Sequence, residues 1–168
     1  IQANRIGTTA DGTAPLGNAF AGVGLGGGAN GNVIGLGYLA GAETGLGNTI
    51  AYNGGDGVEL TAPNSTQGNR IAGNAIYANG VGINDLPIDL GANGNGAFSN
   101  SLPDGNDADA GPNGYQNYPE FTATPTTDGT TLTVRGRLLT SGAIQTYRLH
   151  FYASAGLGPS TDGEGERY

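Results

Sequence analysis

One short unit recurs along this chain and restricts its folding more than any other feature: Asn, any residue, then Ile. It occurs as Asn4-Arg5-Ile6, Asn32-Val33-Ile34, Asn48-Thr49-Ile50, Asn69-Arg70-Ile71 and Asn74-Ala75-Ile76. A second unit, Gly-Val-x-(Leu/Ile), lies between most copies, as Gly22 to Leu25, Gly57 to Leu60 and Gly80 to Ile83. The Gly-Val units start 35 and 23 positions apart, and Asn48 lies 21 before Asn69. These spacings predict a coil of about 21 to 25 residues with an insertion in the early part.

Each unit offers three to five residues with β-branched or Leu side chains two apart, which is strand period and too short for a helix. Between the units sit turn formers. The chain holds 34 Gly and 17 Asn among 168 residues, which nearly excludes long helices. Gly or Asn at a sharp corner takes the left-handed conformation with little strain. Asn brings a second property, since equivalent side chains in stacked coils can hydrogen-bond along the stacking axis as amide ladders. Ile and Val stack likewise into a narrow core that no single coil buries alone. The pattern therefore predicts an all-β parallel solenoid.

A boundary falls near Phe121. Residues 1 to 121 hold two Arg against ten Asp and Glu, whereas residues 122 to 168 hold four of each. Thr clusters and alternating apolar residues replace Gly and Asn at the same point. The formal charge of −8 argues against binding nucleic-acid phosphates. With no Cys, disulfides and thiol-metal sites are excluded. No run of about 18 apolar residues is present, so no helical membrane span is expected. Ile1 is not a translation start, and the expectation is a processed product or a fragment.

Asn4 to Thr8, Ala10 to Ala14, Leu16 to Asn18 and Gly22-Val23 resemble the repeat of a family of large secreted bacterial proteins with right-handed parallel β-helix repeats. Gly54 to Val58, Gly68 to Asn74 and Ile88 to Gly91 are similar to that family's final coils. Asn106 to Asn113, followed by Gln116 to Pro119, is similar to its exit segment, and the resemblance spans about residues 3 to 168. It implies right-handed β-helix coils over 1–103, a connecting segment over 104–120 and an immunoglobulin-like β-module over 121–168. It also implies a secreted or cell-surface protein with a structural or adhesive role.

The last region carries strand signals of its own. Thr131 to Leu138 and Tyr147 to Tyr152 alternate polar and apolar residues across a Ser141-Gly142 turn. With Phe121 to Thr124 this gives about three strands, against roughly seven in a complete immunoglobulin-like sandwich. The module is expected to be incomplete, its open edge completed by further residues or by a neighbouring chain.

Candidate chemistry is sparse. Asp104, Asn106, Asp107 and Asp109 place oxygen ligands on a Gly-rich loop, so calcium is the expected cation. A solvated linker with Asx turns explains the same residues. Gly22 to Gly27 matches a dinucleotide-loop pattern but opens no helix, and reads as a corner. The clustered acids on the coils are Asp56, Glu59, Asp85 and Asp89, with Glu59 projecting outward and Asp85 and Asp89 flanking Pro87 in a turn. Paired carboxylates across a groove would suit a polysaccharide hydrolase or lyase, with Arg5 and Arg70 as its only cationic partners. His150 reads as a surface strand residue. Tyr38, Tyr52, Tyr77, Tyr115 and Tyr118 either pack at corners or stack on sugars, and Asn64-Ser65-Thr66 is a glycosylation sequon. The expected function is a non-enzymatic structural or surface protein, a homo-oligomer or polymer joined through open β-edges. A carbohydrate-binding adhesin and a polysaccharide-degrading enzyme are the alternatives.

Overall fold

Strands of two or three residues cannot shield their own apolar side chains, and this chain resolves the difficulty by laying strands distant in sequence side by side in parallel. The computed structural model describes residues 1–61, 66–80, 85–91, 105, 110–140 and 146–152. Among these the fold is all-β, with one 3₁₀ turn at Pro112–Tyr115. A first parallel sheet runs β1 (Arg5–Ile6), β6 (Thr49–Ala51), β9 (Ala75–Tyr77). A second runs β2 (Val23–Leu25), β7 (Val58–Leu60), β10 (Ile88–Asp89), and β3 (Val33–Gly35) pairs with β8 (Arg70–Ala72) in a third. Three layers result: β1 to β3, then β6 to β8, then β9 and β10 with the 3₁₀ turn.

Register superposes like on like. Ile6, Ile50 and Ile76 align, as do Val23, Val58 and Ile88, while Leu25 lies on Leu60 and Ile34 on Ile71. Ile34, Ile50, Val58 and Leu60 are completely buried. Each such side chain contributes roughly 1.5–3 kcal/mol relative to exposure.

The corners are tied by asparagine. Asn48 Oδ1 accepts the Asn4 backbone N–H (3.0 Å) and side-chain amide (3.1 Å), and Asn74 Oδ1 accepts the same two groups of Asn48 (3.0 and 2.8 Å). Asn18, Asn53 and Asn79 repeat the arrangement with side-chain contacts of 2.9 and 2.8 Å. At the third corner Asn69 accepts from Asn32 (2.9 Å) and donates its backbone N–H to Asn113 (3.0 Å). The second side-chain N–H of each inner Asn reaches a carbonyl of the preceding corner, as from Asn74 to Ile34 and from Asn79 to Ile50 (both 2.9 Å).

The left-handed conformation falls mostly on the residue before the ladder Asn rather than on Asn itself. Ala3, Gly31, Tyr52, Gly68, Gly73 and Ala78 adopt it, and Asn113 is the one ladder Asn that does. For Tyr52 and Ala78 this costs about 1–2 kcal/mol each, which the buried amide contacts offset. Gly7 and Gly35 end β1 and β3 with φ of 87° and 92°, and a Cβ at either would overlap the carbonyl of Ala51 or Ala72 in the next layer.

Two expectations need revision. Asn48 and Asn69 stand at different corners of one layer, so their spacing is not the coil period; stacked Asn residues lie 26 to 44 positions apart. Ile88–Asp89 forms the third strand of the second sheet, which places Asp89 in a strand and not in a turn. Val81 to Ile83 lie outside the described residues. The early insertion is an antiparallel hairpin, β4 (Gly37–Leu39) with β5 (Ala42–Thr44), turned by Ala40 and Gly41.

Past Pro119 the pairing is antiparallel: β11 (Glu120–Phe121) with β14 (Gly136–Arg137), and β12 (Thr126–Thr127) with β13 (Leu132–Thr133). The alternating run Thr131 to Leu138 thus forms two short strands instead of one. The alternation of Tyr147 to Tyr152 predicts a strand, and among the described residues none pairs with it. Ser141-Gly142 lies outside the described residues.

The ladder predicts unequal costs along one corner. Replacing Asn53 by Ala removes the acceptor for both Asn18 donors and should destabilise by about 2–4 kcal/mol in urea unfolding, since buried groups left unpaired cost about 1–3 kcal/mol each. Asn18→Ala, at the exposed end, should cost less than about 1 kcal/mol. Equal losses would contradict the ladder.

Candidate functional site

In-register stacking brings charged side chains together that the sequence spaces far apart. In the second sheet Gly24, Glu59 and Asp89 lie side by side, and because Val58 and Leu60 point inward, Glu59 projects outward as expected. Asp56 and Asp85 join them from the adjoining corner. Asp56 accepts the Leu86 amide and Asp89 the Gly91 amide, both at 2.6 Å. Asp89 is only 1% exposed.

Desolvation dominates this cluster. Burial pushes the Asp89 carboxyl up to about 6, reinforced by the neighbouring charges of Asp56, Glu59 and Asp85 and opposed by the Gly91 amide. Burial also raises Asp56 and Glu59, each with a further push from another acid of the group. Among the described residues no group of three or more His, Cys, Asp or Glu is arranged to hold a metal ion. The calcium ligands expected from the sequence, Asp104, Asn106, Asp107 and Asp109, lie outside the described residues.

A second cluster forms around Glu43 on β5. Its Oε1 pairs with Arg70 Nη2 at 2.6 Å, with His150 Nε2 at 3.0 Å and with Arg148 Nη1 at 3.7 Å. The Tyr38 ring, opposite Glu43 across the hairpin, lies 4.8 Å from the Arg148 guanidinium and 5.8 Å from that of Arg70. Tyr152 completes the contact, its hydroxyl accepting the Gly73 amide at 3.1 Å. These residues join the early hairpin, the layered sheets and the chain at 146–152. His150 is therefore enclosed, with a side chain only 12% exposed, rather than on an open strand surface. Arg5 stands apart and donates to the Ala10 carbonyl.

The other tyrosines divide. Tyr52 and Tyr77 meet edge to face with centroids 5.7 Å apart. Tyr115 packs on the end of the core, and Tyr118 is 39% exposed. Thr66 of the sequon is buried, and Asn64 and Ser65 lie outside the described residues. Between β11, β14 and residues 149–151 runs an apolar groove of about 410 Å³, floored by Phe121, Val134, Leu138, Leu149 and Phe151. The Glu120–Arg137 ion pair, 2.7 Å, stands at its lining. No sequence signal marked the pairing of Glu43 with Arg70 across 27 residues or of Tyr152 with the Gly73 amide across 79.

Two consequences are measurable. Between about pH 4 and pH 6 folded Asp89 keeps a proton that the unfolded chain has released, so stability should fall as pH rises through that window. Asp89→Asn should flatten this slope by about 1–3 kcal/mol, read from unfolding at several pH values. Below that window Asp11, held at about 2 by the Thr9 hydroxyl and the Thr13 amide, acts oppositely, and stability is lost as pH falls. Glu43→Ala should cost about 1–2 kcal/mol and speed amide exchange across 146–152; unchanged exchange there would count against the clamp. No protein-family model matches this chain, and neither a curated protein nor a solved structure matches it.

Proposed function

We propose that this chain is a non-enzymatic extracellular structural or surface protein, a right-handed parallel β-solenoid followed by an incomplete immunoglobulin-like module, which self-associates through open β-edges. The three in-register asparagine ladders carry this reading. They commit nine side-chain amides to holding corners together, an investment in a rigid scaffold rather than in a reactive cleft.

The acidic group supports the same view. Asp89 is enclosed and Asp56 and Asp89 are engaged by backbone amides, which suits a structural strand better than a pair of carboxylates flanking a sugar polymer. Tyr38 has guanidinium groups over its ring, which leaves its face poorly available for stacking on a sugar. Self-association is supported by the short antiparallel pairs past Pro119 and by apolar side chains left in the open, with Phe121 68% and Phe151 64% exposed.

Electron microscopy and sedimentation at rising concentration test the proposal, with ordered assemblies expected. A monodisperse monomer at high concentration that releases unsaturated or reducing ends from uronate polymers would overturn it in favour of an enzyme.

A further inference from the structure

Asparagine followed by glycine is a chemically weak point in any chain. With no side chain in the way, the glycine amide nitrogen can attack the asparagine Cγ. The new C–N bond closes a succinimide ring, the side-chain nitrogen leaves as ammonia with the amide proton, and water reopens the ring to Asp or isoaspartate. One ladder carries this dipeptide at both of its buried members, Asn53-Gly54 and Asn79-Gly80, whereas Asn48, Asn69 and Asn74 precede Thr, Arg and Ala. Packing requires the two glycines. A Cβ on Gly54 would come within 2.8 Å of the Ala19 carbonyl oxygen, and Gly80 has a φ of 73° with Asp85 standing where its Cβ would lie.

The fold keeps both reacting groups occupied. The Gly54 amide donates to the Asn18 carbonyl and the Gly80 amide to the Asn53 carbonyl, both at 2.8 Å. Asn53 Oδ1 accepts the backbone N–H and side-chain amide of Asn18 (3.2 and 2.9 Å), and Asn79 Oδ1 accepts those of Asn53 (3.2 and 2.8 Å). Their own side-chain amides donate to the Ala51 carbonyl (3.2 Å) and the Ile50 carbonyl (2.9 Å). Turning either Cγ onto the glycine nitrogen requires giving these contacts up. Asn30-Gly31 stands outside the ladders and is exposed, its side chain joined to Gly28 and Gln67 at the surface.

We propose that Asn53 and Asn79 are latent self-modification sites, kept as amides while the Asn18, Asn53, Asn79 ladder stands and converted to Asp or isoaspartate once that corner opens. Conversion also closes the way back. A carboxylate at position 53 sets an oxygen against Asn79 Oδ1 where a donor stood, two acceptors and a charge in a buried corner. Isoaspartate adds a methylene to the backbone and shifts the chain leading into β7. The inference goes beyond the scaffold reading and rests on the ladder contacts alone.

The test holds the 168-residue chain at mildly alkaline pH in buffer and, in parallel, in urea above its unfolding midpoint. Peptide mapping by mass spectrometry with isoaspartate detection follows each Asn. In urea Asn30, Asn53 and Asn79 should convert at similar rates. In buffer Asn53 and Asn79 should convert at least about tenfold more slowly than in urea, and be protected more than Asn30. Asn18→Ala, which removes one donor from Asn53 Oδ1, should speed conversion of folded Asn53 severalfold. Gly54→Ala, followed in urea so that the variant need not fold, should slow Asn53 alone and so identify the attacking nitrogen. Chain converted at 53 or 79 should not regain its native spectrum on dilution from urea, whereas chain held in urea at mildly acidic pH should. Equal rates in buffer and urea, protection of Asn30 as large as that of Asn53, an unchanged folded rate in Asn18→Ala, an undiminished urea rate in Gly54→Ala or full recovery of converted chain would overturn the proposal. None of these readouts depends on assembly, so their failure leaves the proposed function standing.

Discussion

The contact between stacked asparagine side chains is the constraint on which the rest of this structure depends. A corner without it would leave buried N–H and C=O groups unpaired at every layer, at about 1–3 kcal/mol each. With it, the two or three very short strands of each layer hold a common register and their Ile, Val and Leu side chains meet in columns. The left-handed turns at Tyr52 and Ala78 follow from the same need, since they aim the following Asn inward. A strained φ is accepted where it delivers a ladder member.

Register explains the chemistry as well as the core. A parallel in-register sheet puts each residue beside its structural equivalent, so an acid on one strand is met by whatever occupies that position on the next. Glu59 faces Gly24 on one side without penalty and Asp89 on the other at a cost in desolvation and repulsion. The raised carboxyls of the second sheet thus follow from its register and its burial.

Much of this was legible in the sequence, in a form set by local physics. Asn-x-Ile announced short strands, corner amides and a stacked core because each of those properties is encoded within a few residues. The pairing of copies was not legible. Asn48 stacks on Asn74 and not on Asn69, and no local property distinguishes the two, because the choice depends on how much chain each corner consumes. Asp89 looked like a turn residue beside Pro87, yet Leu90 beyond it is buried and draws the segment into the sheet. The Glu43 cluster was hidden for a related reason: its members come from a hairpin, a layer strand and residues 148–150, and their meeting is decided by tertiary packing. The alternation of residues 147–152 predicts a strand, while Arg148 and His150 meet Glu43 of the hairpin and the Tyr152 hydroxyl meets the Gly73 amide.

The distances in sequence between stacked asparagines, 26, 35, 37 and 44 residues, differ widely while the contacts they make are nearly identical. Because the closing bond is made by a side chain at the corner itself, the length of chain between two corners matters little to closing it, each doubling costing only about 0.6 kcal/mol. Such a scaffold separates the demands on its interior from those on its exterior. Segments such as the β4–β5 hairpin can lengthen, shorten or exchange their chemistry at a corner while the ladder beneath stays the same, so the molecule's outer surface is free to diversify on an invariant frame.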